Sequence, residues 1–353
     1  MNRPPSMRDV ARAAGVSPNA VSLALRGDRQ IPEATRRRIT AVATALGYRK
    51  DPLLSRALAR ARSGKPGRFR ATLALLNANE DPLALVRHPT IPSYLEGCRR
   101  RAWQLGYALD EFWLADPQLD ARALARIWAA RGIEGAVVVG LMKEDRLPPR
   151  AEPLWKEFPC VVTGVATRQP ALSFACADHH RLVLEAFRQI LEAGYLRPAL
   201  VLDERIDRLT LGRFTAGFLV AQQAVAPSRR TRPFYRVVEA RDRPALFRRW
   251  LDRQRPDVIL TLYHEVKRWV EMAGLRVPRD LGLVQLEWRR DHPSWAGMDQ
   301  HNDVVGETAV DMLAAMIQSG SGGIPDFPRA TLVGSSWVAG RTLPPRRSVL
   351  AGN

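Results

Sequence analysis

The chain has 353 residues with 54 Lys+Arg against 36 Asp+Glu, a formal net charge of +18, and is 46% hydrophobic. It is too long for one core and too apolar to be disordered or fibrous, so two or three globular domains are expected. No apolar run reaches the roughly 18 residues of a membrane span, and the start MNRPPSMRDVARAAGVS has no apolar signal core, so neither membrane insertion nor secretion is expected.

Three widely spaced cysteines, Cys98, Cys160 and Cys176, form no CxxC pair, which argues against a zinc site or a disulfide framework and fits a reducing cytoplasm. The charge is unevenly placed. Residues 1–70 hold 16 Lys/Arg and 4 Asp/Glu, a net of +12, and the rest of the chain shares +6. A basic end of this kind points to a polyanionic partner.

From the N-terminus, Ser6 can cap a helix over 7–14, and Gly15 supplies the left-handed residue that ends it. Ser17 can cap a second helix with Pro18 in its first position, running to about Leu25, where Gly27 and Asp28 break the pattern. Pro32 opens a third helix that reaches Leu46 and stops at Gly47. Ala11, Gly15 and Val21 are spaced as a helix-turn-helix requires: a small residue where two helices cross, Gly at the tight turn and a β-branched wedge. These features make residues 1–49 a DNA-binding head. Residues 50–70 read as a short helix, PLLSRALARAR after an Asp51-Pro52 start, followed by a joint rich in Gly and Pro.

From residue 71 the pattern changes to apolar runs alternating with helical stretches. Candidate strands are 71–78, 106–114, 135–141, 160–165, 197–202, 257–263 and 281–287. Short strands with crossover helices argue for parallel α/β sheets, and 71–342 is long enough for two lobes. No GxGxxG, P-loop or nucleophile elbow occurs, and no convergent acid/base group or metal-ligand spacing is found. His179-His180 reads as a surface or helix-start pair, because adjacent side chains diverge. Neither an enzyme nor a cofactor is therefore expected. The tail is assigned to 343–353.

The run MRDVARAAGVSPNAVSLALRGDRQIPEATRRRITAVATALGYRKDP resembles the head of the lactose/galactose repressor (LacI-type) family of transcription regulators. Weaker matches continue in order through the body, among them LEGCRRRAWQLGY, FPCVVTG, ADHHRLVLEAFRQILEAGY and the tail WVAGRTL. The resemblance implies a cytoplasmic, nucleoid-associated homodimer on double-stranded operator DNA, probing a near-palindrome and acting as a repressor. It implies a body with the two-lobed periplasmic-binding-protein-like fold, holding a small-molecule effector of the sugar class between the lobes.

By that resemblance the second helix enters the major groove, with Pro18, Asn19, Ala20 and Leu23 facing bases and Ser17 and Ser22 near phosphate or base edges. Asn19 is the best direct reader, since an amide bonds adenine in two ways. Leu23 stands where many members carry Arg. Arg26, Arg29, Arg36 and Arg37 are cast as phosphate contacts. The short helix is implied to be a hinge that inserts a leucine into the minor groove, with Leu58 favoured and Leu54 on the same face. In the body the effector candidates are Tyr94, Asp178, Arg213, Phe214, Tyr263, Glu287 and Trp288. Phe214 replaces the family's Arg, and Tyr263-His264 replace its Asn-Asp pair.

Overall fold

A computed structural model describes residues 5–25, 30–48, 71–118 and 120–346. The chain divides into two compact units, a head and a body. The short helix expected over 50–70 lies outside the described residues.

The head contains α1 (Met7–Ala14), α2 (Pro18–Ala24) and α3 (Glu33–Ala45). The Asp9 carboxylate accepts from the Ser6 backbone N–H (2.8 Å) and hydroxyl (2.6 Å), closing the start of α1. Gly15 ends α1 at φ +63°, a conformation that costs a side chain but not glycine. The Ser17 hydroxyl accepts from the Ala20 N–H at 3.2 Å and caps α2. Val10, Ala11, Val21 and Ile39 are buried together where the helices meet. Each large aliphatic chain so buried contributes about 1.5–3 kcal/mol.

The body has two parallel sheets. The first contains β1 (Ala71–Asn77), β2 (Tyr107–Trp113), β3 (Ile133–Val139), β4 (Cys160–Thr163), β5 (Ser173–Ala177) and β10 (Ala330–Val333), in the order β10-β5-β4-β3-β1-β2. The second contains β6 (Pro198–Val201), β7 (Val258–Thr261), β8 (Gly282–Gln285), β9 (Ala296–Asp299) and β11 (Ser336–Val338), in the order β11-β9-β8-β7-β6, with β11 antiparallel to β9. Alternate residues go to opposite faces. Leu73 and Leu75 join one core with Val137 and Val161, while Ala74 and Leu76 join another with Val138 and Val162. The same division places Leu200 and Leu260 on one face of the second sheet and Ala199 and Ile259 on the other. Sheets covered on both faces explain why these strands read as continuous apolar runs.

The remaining helices are shared between the lobes. After the short α4 (Ala84–Arg87), α5 (Ile91–Leu105) packs in the first lobe, where α6 (Ala121–Arg131) and α7 (Glu152–Glu157) also lie. Helix α8 (His179–Glu192) leaves β5 and packs in the second lobe. Helix α9 (Glu204–Leu209) packs on both lobes, with Leu209 in a first-lobe core and Ile206 against cores of each; in the second lobe follow α10 (Arg213–Ala221), α11 (Val237–Asp242), α12 (Pro244–Gln254) and α13 (Glu265–Met272), before α14 (Asn302–Ser319) returns to the first lobe. The chain thus crosses between lobes three times, at 177–179, 299–302 and 333–336. Four strands, β5 and β9 to β11, were not anticipated as strands from sequence.

The first residues of the expected tail belong to the body. Leu343 is buried in the second-lobe core, the Tyr195 hydroxyl donates to the Pro344 carbonyl at 3.2 Å, and Arg346 lies over the Tyr195 ring at 4.2 Å. An apolar side chain and a stacked guanidinium fasten a segment that composition alone left as a loose end. Among the described residues no helix is long and apolar enough to cross a membrane.

Candidate functional site

In the head, α2 turns Val21 and Ala24 inward and leaves Ser17, Pro18 and Asn19 exposed at its start. Ala20, Ser22 and Leu23 are half-buried along the same helix. The exposed edge combines a hydroxyl with an amide, groups able to bond base edges or phosphate. On α3, Arg36 is half-buried, and Arg37 is exposed and paired with Glu33 at 2.5 Å. That pairing offsets part of the charge Arg37 could offer a phosphate. Arg26, Arg29, Leu54 and Leu58 lie outside the described residues.

In the body, a cavity of about 330 Å³ lies between the lobes at the carboxyl ends of strands, where open α/β sheets place ligands. The first lobe contributes His88 and Tyr94 from the approach to and first turns of α5, and Thr163 and Gly164 from the end of β4. The second lobe contributes His179 and Phe214 from the starts of α8 and α10, and Tyr263, Glu287 and Gln300 from the ends of β7, β8 and β9. Gly164 is required twice over: its φ is +80°, and a Cβ there would stand 2.7 Å from the Tyr94 hydroxyl.

Four of the seven effector candidates, Tyr94, Phe214, Tyr263 and Glu287, line this cavity. Tyr263 is fixed by its hydroxyl, which accepts from the Asp203 N–H at 3.2 Å. Glu287 accepts from Asn302 Nδ2 at 2.9 Å. Enclosure raises the Glu287 carboxyl above the usual carboxylate range, against hydrogen bonds from Thr90 and Asn302 and the charge of Arg289. The other three candidates lie elsewhere. Asp178 accepts from the Arg181 N–H at 3.1 Å and so caps α8. Arg213 donates to Cys176 Sγ at 3.2 Å and stacks on Phe174 with its guanidinium carbon 5.4 Å from the ring centre. Trp288 donates from Nε1 to the Trp295 carbonyl at 3.1 Å and lines an adjoining cavity shared by Glu287, Arg289 and Asn302.

His179, read from sequence as a surface or helix-start residue, does open α8 but is buried, and sequence reasoning did not place it at the cavity. The residue is 4% exposed, and its ring packs on Phe214 with centroids 4.5 Å apart. Burial, helped by the nearby Arg213 charge, pushes its pKa down to about 3, so the ring is neutral at pH 7. It is the first residue of α8 and follows a buried strand, which is the signal that could have exposed it. His88 and Gln300 were missed because each sits in a connection with no periodic pattern. His88 Nδ1 accepts from the Thr90 N–H at 3.1 Å, and Gln300 Nε2 donates to the Leu286 carbonyl at 2.8 Å.

Residues 6–51 match the profile of the lacI family of bacterial regulatory proteins. Over 212 residues the chain is 23% identical to the HTH-type transcriptional regulator MalR of Streptococcus pneumoniae, a match that spans 60% of this chain and 61% of that protein. The fold is similar to that of the transcriptional regulator CelR in complex with cellobiose (TM-score 0.56, 18% identity, 96% of this chain and 99% of that one). It is similar also to that of the lac repressor dimer bound to operator and the anti-inducer ONPF (TM-score 0.56, 19% identity, 97% and 100%).

Proposed function

We propose that the chain, whose head matches the model of the lacI family of bacterial regulatory proteins over residues 6–51, works as a dimeric repressor that binds a near-palindromic operator and is modulated by a small molecule held between its lobes. The observation that carries this reading is the capped three-helix head with the exposed Ser17-Pro18-Asn19 edge of α2, inside the stretch that matches the family. In this role α2 enters the major groove. Asn19 reads bases, with Ser17, Pro18, Ala20, Ser22 and Leu23 around it, and Arg36 and Arg37, together with Arg26 and Arg29, meet phosphates. Leu58 or Leu54 serves as the minor-groove wedge.

The dimer and the operator are carried over from the lac repressor neighbour, and a sugar-class effector from the CelR neighbour solved with cellobiose. The cavity between the lobes supports the second transfer, because its walls come from both lobes and a ligand there favours one lobe arrangement over another. The three crossovers are the segments about which the lobes would move. Among the described residues no group of His, Cys, Asp and Glu is placed to hold a metal ion, and the reading needs none.

Retention of genomic fragments by the full chain tests this proposal. A discrete set of fragments should survive roughly a hundredfold excess of non-specific DNA, as the usual ratio between specific and non-specific affinity allows. Equal loss of all fragments to competitor would reject sequence-specific regulation.

A further inference from the structure

Charge is unevenly placed within the body as well. Residues 229–255 hold ten arginines and no lysine against three acids, Glu239, Asp242 and Asp252, a net of +7, whereas 71–353 as a whole carries +6. The segment lies in the second lobe, where Phe234, Val237, Phe247 and Leu251 turn into the core and every arginine but Arg230 is exposed. Four of the ten are engaged. Arg236 pairs with Glu239, Arg241 with Glu265 at 2.9 Å and Arg248 with Asp252 at 3.0 Å, and Arg230 donates to the Val225 carbonyl at 3.4 Å. The side chains of Arg229, Arg232, Arg243, Arg249, Arg253 and Arg255 make no ion pair or hydrogen bond among the described residues.

Five of these six gather towards the C-terminal end of α12. Arg249 and Arg253 share one face of the helix, one turn or about 6 Å apart along its axis. Arg255 ends the helix in left-handed backbone at φ +43°. The Arg232 N–H donates to the Gln254 side chain at 2.8 Å and its carbonyl accepts from Trp250 Nε1 at 2.8 Å, which fixes Arg232 beside the last turn. Arg197 donates to the Gln254 carbonyl at 2.6 Å and to the Ser228 carbonyl at 2.7 Å, and so brings Arg229 to the same end. A helix C-terminus favours a cation, but Arg197 already supplies one. The neighbouring Asp257 carboxylate is taken up by the Leu196 and Arg197 N–H groups and by Arg346. The remaining guanidinium groups repel one another, and a polyanion laid across them relieves that repulsion.

The chemistry of the face selects among polyanions. Guanidinium forks match phosphate oxygens two at a time. The centre of a protein–protein interface is poor in charge and rich in apolar side chains, yet among the described residues no exposed large apolar side chain lies on α12 or at 229–232. A surface made by one helix turn and the segments on either side of it is also wider than a single small phosphate fills. We infer that this face of the second lobe is a further, sequence-independent DNA surface, on which Arg232, Arg249, Arg253 and Arg255 contact the phosphates of duplex DNA. It lies outside the head and does not depend on the head reading sequence, because phosphate contacts carry none.

The test labels the full chain with the arginine reagent phenylglyoxal, read residue by residue by mass spectrometry, with and without duplex DNA of random sequence. Arg249 and Arg253 should be labelled about fivefold more slowly with DNA, and the protection should vanish at about 1 M salt, as phosphate contacts require. Arg122 and Arg126, exposed on α6 of the first lobe, should show no protection. In the double variant Arg249→Gln, Arg253→Gln, which removes no contact within the fold, Arg232 and Arg255 should lose their protection while Arg36 of the head keeps its own. Undiminished protection of Arg232 and Arg255 in that variant would overturn the inference. Equal protection by polyglutamate would assign the face to an acidic protein, and equal protection by inorganic phosphate at matched phosphate concentration would assign it to a small anion. Either result overturns the inference. Protection of Arg36 without Arg249 and Arg253 rejects the body surface alone, whereas protection of neither rejects it together with the DNA-binding reading of the head.

Discussion

Asn19 and Arg36 both lie on the head, yet they should fail in different ways. Asn19 is exposed at the start of α2, where an amide can bond a base edge in two directions. Arg36, half-buried on α3, can reach a phosphate but carries no sequence information there. Asn19→Ala should therefore change base preference, while Arg36→Ala should weaken all DNA alike and reduce the salt slope by about 1, read by anisotropy across a salt series. Equal losses on every sequence for Asn19→Ala would remove its reader role. In the body, Glu287 gives a pH signature. Its folded pKa is raised by enclosure, so just above the ordinary carboxylate value the folded state holds more protons than the unfolded one, and stability falls as pH rises. Glu287→Gln should melt above the parent at pH 8, with the gap closing towards pH 4. At this scale Tyr94, Phe214, Tyr263 and Glu287 were legible because aromatic or acidic residues followed recognisable strands or opened helices. Asp178 and Arg213 sit at similar positions but spend their polar groups on a helix cap and a thiol, which no spacing reveals.

Helices are the elements on which close approach depends most. Helix α5 crosses the start of α14 so tightly that a Cβ on Gly97 would lie 1.7 Å from the Asp303 carbonyl oxygen, and one on Gly306 would lie 2.1 Å from the Tyr94 carbonyl oxygen. These are backbone atoms and cannot turn aside. Gly97→Ala or Gly306→Ala should destabilise the body by about 1–3 kcal/mol or more, seen in denaturant unfolding, and should shift Tyr94 relative to Glu287 in the cavity wall. Arg100 ties the same pair together through Asp303 at 2.7 Å and Glu307 at 2.6 Å. Gly15 is a different case, because its Cβ would meet nothing within 4 Å and only its φ of +63° resists substitution. Gly15→Ala should cost about 1 kcal/mol, measured as a shift in head unfolding. The head helices were legible because caps, turn glycines and the wedge residue all agree. The strand Ala296–Asp299 was not, since AGMD is four residues long and contains glycine, and Ala330–Val333 is an exposed edge with little apolar alternation.

Across the whole molecule, acid should loosen the body. The pKa values of His179 and His264 are pushed down to about 3 and about 4, chiefly by burial, below the 6.5 of an unperturbed ring. Between those values and 6.5 the unfolded chain binds more protons, so the stability each neutral ring supports is present above about pH 6.5 and is lost as pH falls. The parent should melt progressively lower from pH 6.5 to 4.5, and His179→Phe should flatten part of that slope. Two lobes were legible from chain length and the strand–helix alternation. The threefold crossing between them was not, because the last two crossings are short links that leave strands too weak to read, Ala296–Asp299 and Ala330–Val333. The most direct measurement is selection of bound DNA from a random pool by the full chain at moderate salt. A dimer with two α2 helices in successive major grooves predicts enrichment of a near-palindrome with half-sites about one helical turn apart, about 10 base pairs. Recovery of no motif, with binding that only weakens as salt rises, would contradict a sequence-reading head.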